Sequence, residues 1–194
     1  MSWEKWKEIF LDEAKEQLKT APKISPVHKI DHLLRVWSNA KLLCEKLNGD
    51  LDVMVASVFL HDLGRHYGLE IHGEKSAELA KPILEKNNFP EEKIPLILET
   101  ISQHDYNFPS EKRILLESKI LYDCDKMDAF GVVGVYRHII FYLEKKQSSI
   151  TEILSLLEKR FEGLVLSESK ELAKYDYNYI IDFFNKLKKE LDKE

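Results

Sequence analysis

The chain has 194 residues, a length that suits one domain or one domain with a small extension. It is 44% hydrophobic and 32% charged, enough to bury a sizeable core in water, and its 7 Gly and 6 Pro are too few for a loop-rich or all-β protein. A formal net charge of -5, with no dense basic block, argues against a nucleic-acid polymer as partner; a nucleotide, needing only a few cationic contacts, stays open. Cys44 and Cys124 stand alone in apolar surroundings and read as reduced core residues of a cytoplasmic protein. The N-terminal stretch MSWEKWKEIFLDEAKE has no signal-peptide hydrophobic segment. No apolar run reaches the roughly 20 residues of a membrane span, so no membrane is expected as partner.

In chain order the sequence predicts helix after helix. Trp3, Trp6, Ile9, Phe10, Ala14 and Leu18 recur at helical spacing to about Thr20. Pro22 and Pro26 break that helix, and Ser25 starts a second one that ends at Asn48-Gly49, with Ile30, Leu33, Leu34, Trp37, Leu42 and Leu47 on its apolar face. Leu51 to Leu60 (LDVMVASVFL) is apolar almost throughout, which predicts a helix buried on all sides. Gly64 to Gly73 reads as a polar loop. A helix from about Glu74 to Asn87 follows, kinked by Pro82. Pro90 opens another, reaching about His104, and Asn107 to Ser110 is a turn. Further helices are expected from Glu111 to about Asp123 and from Val132 to Lys145. Ser148-Ser149 caps one over Thr151 to Phe161, and Ser167 or Ser169 begins the last. Gly131 and Gly134 mark a close backbone approach. Nothing alternates with period two long enough to be a strand, so the fold class is all-α.

The pair His61-Asp62 closes the buried Leu51–Leu60 run, where an unsatisfied polar group costs several kcal/mol, roughly. A divalent metal would satisfy both side chains. The plainer alternative makes Asp62 a helix cap and His61 a hydrogen-bonded core histidine. His32 projects from the same helix face as His28 and Arg35, and is either a site residue or a satisfied core histidine. His72 stands at a helix start, where a surface position is the alternative. His104, followed by Asp105, closes a helix whose negative end it would complement. Among Asp123, Asp125 and Asp128, at most two can serve one point. Arg137 is placed to pair with an acid, and Tyr175, Tyr179 and Phe183 read as packing. Trp3 and Trp6 read as packing of the first helix on the bundle, with a dimer contact as the alternative.

The order His32, His61-Asp62, Asp125 resembles the H…HD…D signature of HD-superfamily metal-dependent phosphohydrolases. The likeness extends beyond four letters: DHLLRVWSNA, VFLHDLGRH, HGEKSAELA, ISQHDY and DCDKMDAFGVVGVYR each resemble a family block, in family order, over roughly residues 24 to 140. Met127 where Leu is usual changes nothing. Asp105 where Ser is usual would alter a phosphate contact or sit exposed. The resemblance implies one globular helical bundle: residues 1–23 a helix packed on the core, 24–145 the metal-binding core, and 146–194 helices completing the same domain.

It further implies that His32, His61, Asp62 and Asp125 bind a divalent cation, and that His72 and His104 hold a second ion or contact phosphate. A set of imidazoles and carboxylates without thiolate favours Mn, Fe, Co, Ni or Mg, as one or two ions, over structural zinc. Asp62 would touch both the ion and its water. Arg35 and Lys126 would neutralise phosphoryl charge, with solvated surface cations as the alternative. Arg65 and His66 follow the metal pair, His66 as a general acid or an exposed loop residue. The implied activity is hydrolysis of a small phosphorylated metabolite of the nucleotide class. A di-iron oxygenase and a non-catalytic ligand-binding module are the alternatives.

Overall fold

The computed structural model describes residues 2–20, 30–67, 71–145 and 149–192. Pro22, Ser25, Pro26, His28 and Ser148, and the side chain of His66, lie outside the described residues. The α-helices are α1 (Trp3–Thr20), α2 (Ile30–Leu47), α3 (Leu51–Leu60), α4 (Gly73–Lys86), α5 (Ile94–Ser102), α6 (Leu116–Met127), α7 (Gly131–Lys145), α8 (Ile150–Glu162) and α9 (Ser167–Leu191). Every regular element among the described residues is helical, as the all-α reading expects. The chain falls into two compact units, Met1–Cys124 and Asp125–Glu194.

The first unit is built around α3. Its residues Val53 to Leu60 are all buried, so it has no solvent face, and α1, α2 and α5 pack against it. The start of α3 is fixed by Asp50, whose carboxylate accepts the backbone N–H groups of Asp52 and Val53 at 2.9 and 3.2 Å. Lys93 clamps that carboxylate and Asp52 at 2.8 and 2.9 Å. Burial opposes ionisation of Asp50, but Lys93 and the two N–H groups outweigh it and hold the carboxyl below its ordinary range. The backbone N–H of Asp50 donates to Glu117 on α6 at 2.9 Å, which ties the entry of the buried helix to a second element. Trp6 and Phe10 of α1 pack with Phe89 in an aromatic cluster, ring centroids 4.6–5.8 Å apart, so Trp6 is core. Trp3 rests on Trp37 of α2 at 5.5 Å.

In the second unit α7 and α8 pack on α9 around Phe130, Val135, Ile153, Leu157, Ile180 and Phe184. The close approach expected of Gly134 is there: a Cβ on it would lie 2.2 Å from the Ala129 carbonyl oxygen and 3.0 Å from Ile180. Arg137 pairs with the Asp128 carboxylate, as its position suggested.

Several local expectations change. Leu34 and Leu42 are 38% and 53% exposed, because α2 buries the stripe His32, Leu33, Val36, Trp37, Ala40, Leu43, Cys44 instead. The stretch after His61-Asp62 begins as a short 3-10 helix, Leu63–Tyr67, where a loop was expected. The helix expected from Pro90 is a 3-10 turn, Glu91–Lys93, and α5 starts at Ile94. Pro95 is the better start signal, since its missing N–H falls where the first turn has no partner to offer. Likewise Ser110–Lys112 is a 3-10 turn and α6 begins at Leu116. Pro82 lies inside α4, as expected, on its exposed side. Tyr175 is 80% exposed and is not packing; Ser169, Ala173, Ile180 and Phe184 carry the buried face of α9.

Candidate metal centre

The site lies in the first unit, where α3 ends and three other elements meet it. His61 caps α3 and Asp62 follows; both are buried. His32 comes from the first turn of α2, His72 is the residue before α4, and His104 stands just past the C-terminal end of α5. All three are buried, so the surface alternative for His72 does not hold.

Two groups of ligand atoms converge, each within 4.8 Å: His32, His61 and Asp62, and Asp62, His72 and His104. Asp62 is common to both. Its Oδ2 lies 3.6 Å from His32 Nε2, and its Oδ1 lies 3.6 Å from His61 Nε2 and 2.8 Å from His72 Nε2. His104 Nε2 is 3.1 Å from His72 Nε2.

The outward nitrogens settle two tautomers. His61 Nδ1 is 2.8 Å from the Val58 carbonyl and His104 Nδ1 is 2.6 Å from the Ile101 carbonyl. A carbonyl only accepts, so each Nδ1 carries the hydrogen and each Nε2 presents a lone pair to the centre. His72 is held differently: Burial opposes its protonation, yet the hydrogen bond and charge of Asp62, helped by Asp105 and opposed by Arg65, raise its pKa.

Imidazoles and a shared carboxylate, without thiolate, fit a divalent first-row ion or magnesium and not a structural zinc site. A carboxylate has oxygens enough to serve both groups. The donor set therefore fits the metal that the sequence pattern implies.

The other expected residues are placed as follows. Asp125 is half-buried on α6 in the second unit, 2.6 Å from Lys126 Nζ. Arg35 is half-exposed and pairs with Asp31 at 2.8 Å. Arg65 brings its Nε to 3.2 Å from Asp62 Oδ1, so it is a cation that the structure sets on the shared carboxylate.

Two residues beside the site were not foreseen in their roles. Asp105 is neither exposed nor aimed outward: it is 5% exposed, and its Oδ2 accepts the N–H groups of His72 and Gly73 at 2.9 and 2.6 Å. Arg113 is buried, with Nε and Nη2 donating to the Gln103 carbonyl at 2.9 and 2.8 Å and Nη2 to the Asp105 carbonyl at 3.1 Å. Its guanidinium stacks 3.9 Å over Tyr122. An acid in place of the usual Ser was the one sequence signal for Asp105; Arg113 gave none.

Known proteins bear on the identity of this fold. The chain is 22% identical over 178 residues to the uncharacterized protein YpgQ of Bacillus subtilis, covering 84% of each. Among solved structures, an HD-superfamily hydrolase from Bacillus thuringiensis is similar with a TM-score of 0.76 at 20% identity, over 100% of both chains. Bacillus subtilis YpgQ in complex with ADP is similar with a TM-score of 0.70 at 20% identity, over 93% of this chain and 98% of that one. A predicted HD-superfamily hydrolase from an uncultured Thermotogales bacterium is similar with a TM-score of 0.69 at 23% identity, over 94% and 91%. The HD domain family model matches residues 30–129, more than half of the chain and the stretch that carries His32, His61, Asp62, His72 and His104. This protein belongs to the HD-domain family.

Proposed function

We propose that this chain is a divalent-metal-dependent phosphohydrolase acting on a small phosphorylated metabolite of the nucleotide class. The observation that carries the reading is the pair of buried ligand groups sharing Asp62. His32, His61 and Asp62 would hold one ion, and His72 and His104, with the same carboxylate, a second ion or a phosphate oxygen. The family resemblance adds Asp125 to the set. A bound ion would supply a water acidified towards neutrality and offset charge on the phosphoryl oxygens. The residues around it do the rest. Val58 and Ile101 carbonyls keep two Nε2 atoms turned inward. Arg65, its Nε 3.2 Å from Asp62 Oδ1, offers a cation to a phosphate; Arg35 and Lys126 are further candidates for that task. The ADP complex of YpgQ supports a nucleotide as the ligand class.

The test is release of orthophosphate and pyrophosphate from a panel of nucleotides and sugar phosphates, metal by metal, with Asp62→Ala beside the wild type. Turnover that requires Mn, Co, Ni or Mg and disappears in the variant is the expected outcome. No release from folded, metal-loaded protein, together with dioxygen uptake by the iron form, would replace the hydrolase with the oxygenase.

A further inference from the structure

His72 enters the site as the residue before α4, and its carbonyl accepts the Ser76 N–H at 2.7 Å, while its side chain receives no help from that helix. What holds its own N–H and its ring comes from beyond the end of α5. Asp105 Oδ2 accepts the backbone N–H of His72 at 2.9 Å and that of Gly73 at 2.6 Å, which satisfies two of the donors a helix start leaves over. The other oxygen, Oδ1, lies 3.3 Å from His72 Nδ1. One carboxylate therefore grips the main chain and the ring of the same residue. Only glycine fits between them: a Cβ on Gly73 would sit 2.9 Å from Asp105 Oδ2 and 2.6 Å from the Ser102 carbonyl oxygen. The segment bearing Asp105 is anchored in turn, because the buried Arg113 donates to the carbonyls of Gln103 and Asp105.

We propose that Asp105 is a positioning residue for the metal centre: it fixes the place of His72 through Oδ2 and the orientation of its ring through Oδ1, so that Nε2 faces Asp62. A carboxylate faces each ring nitrogen, Asp62 Oδ1 at Nε2 and Asp105 Oδ1 at Nδ1; once an ion takes the Nε2 lone pair, Asp105, which only accepts, keeps the hydrogen on Nδ1, the arrangement that raises the affinity of metal-bound histidines elsewhere. The inference rests on the metal reading above and assigns to this chain an orienting group that its sequence pattern did not reveal.

The experiment is titration of the full chain with Mn2+ alone, beside thermal unfolding of the metal-free protein. Asp105→Asn is the informative variant. Its amide oxygen still accepts the N–H groups of His72 and Gly73, but its NH2 donates to Nδ1 and turns the hydrogen onto Nε2. The expected result is Mn2+ binding weakened about 10- to 100-fold, with the melting temperature of the metal-free protein within about 3 °C of wild type. Because Asp105 acts through His72, the double variant with His72→Ala binds Mn2+ no more weakly than His72→Ala alone. Mn2+ affinity of Asp105→Asn within about twofold of wild type, or losses that add in the double variant, would overturn the proposal. Should Asp105→Asn not fold, Asp105→Ser, too short to reach Nδ1, carries the same expectation. His61→Ala separates the two readings. If it weakens Mn2+ binding while Asp105→Asn does not, only the positioning role fails. If the wild type itself binds no Mn2+, the metal centre fails and this proposal with it.

Discussion

At the scale of single residues, a buried histidine outside the centre contributes to the response to acid. His138 on α7 is 7% exposed, and its ring stands edge-on to Phe184 at 6.1 Å. Burial first, then Arg160 and Arg137, push its pKa down to about 4 from 6.5, against a smaller opposing hydrogen bond at Ala129. The unfolded chain binds a proton at His138 below pH 6.5, and the folded chain does so only below about 4. Across that window the unfolded state holds more protons, so stability rises with pH and falls as pH drops from 6.5 towards 4. The gap corresponds to roughly 3 kcal/mol. His138→Gln is expected to lose about that much less stability than wild type between pH 7 and 4, read from urea midpoints at the two values. Equal losses in both proteins would show that His138 is protonated in the fold.

Arg113 is the second case. Its three hydrogen bonds to main-chain carbonyls and its stacking on Tyr122 are buried, so no solvent replaces them. Burial lowers its pKa, while Tyr122 and Asp123 act the other way. Lysine has one nitrogen and no planar fork, and cannot bind both carbonyls in the same geometry. Arg113→Lys should cost about 2–4 kcal/mol in chemical denaturation, given hydrogen bonds from a charged donor worth roughly 1.5–3 kcal/mol each. A cost under about 0.5 kcal/mol, the level of an ordinary surface change, would mean that the loop after α5 is held by other contacts.

At the scale of elements, what decides each boundary is a cap or a close approach. α8 begins with a reciprocal capping box: the Glu152 N–H donates to Ser149 Oγ at 3.2 Å, and the Ser149 N–H donates to the Glu152 carboxylate at 2.6 Å. Ser149→Ala removes one side of it and should lower stability by about 1 kcal/mol, visible as a lower thermal midpoint. The long periodic segments were legible in the sequence because apolar spacing survives tertiary context; α1, α3, α7, α8 and α9 lie within a residue or two of expectation. The misplaced starts of α5 and α6 follow 3-10 turns, whose local bonding a periodicity argument does not separate from an α-helix. The buried, converging side chains His32, His61, Asp62, His72 and His104 were legible as candidates because the family pattern orders them. Asp105 was legible only as a departure, since its partners are the backbone N–H groups of His72 and Gly73, and sequence does not show which main-chain donors a distant carboxylate meets. Arg113 was not legible for the same reason: it bonds carbonyls, which every residue has.

At the scale of the whole molecule, ligand binding and folding are one equilibrium. The buried imidazoles and the carboxylate of the centre are contributed by four separate parts of the chain that meet only in the folded state: the start of α2, the end of α3, the entry to α4 and the exit of α5. A metal that binds this arrangement and not the unfolded chain stabilises the fold by about 2.7 kcal/mol at a concentration 100 times its Kd. For a chain of this size that is a rise of roughly 5–10 °C in melting temperature, reversed by a chelator. The way the ligands are shared makes the prediction specific. Asp62 belongs to both groups, so Asp62→Asn should abolish the metal-induced rise. His61 belongs to one group only, so His61→Ala should keep a smaller rise through Asp62, His72 and His104. Thermal scans of the three proteins, each with chelator and with Mn2+, separate the cases. A full rise in Asp62→Asn would remove the carboxylate from the centre, and no rise at all in His61→Ala would show that the second group holds no ion of its own.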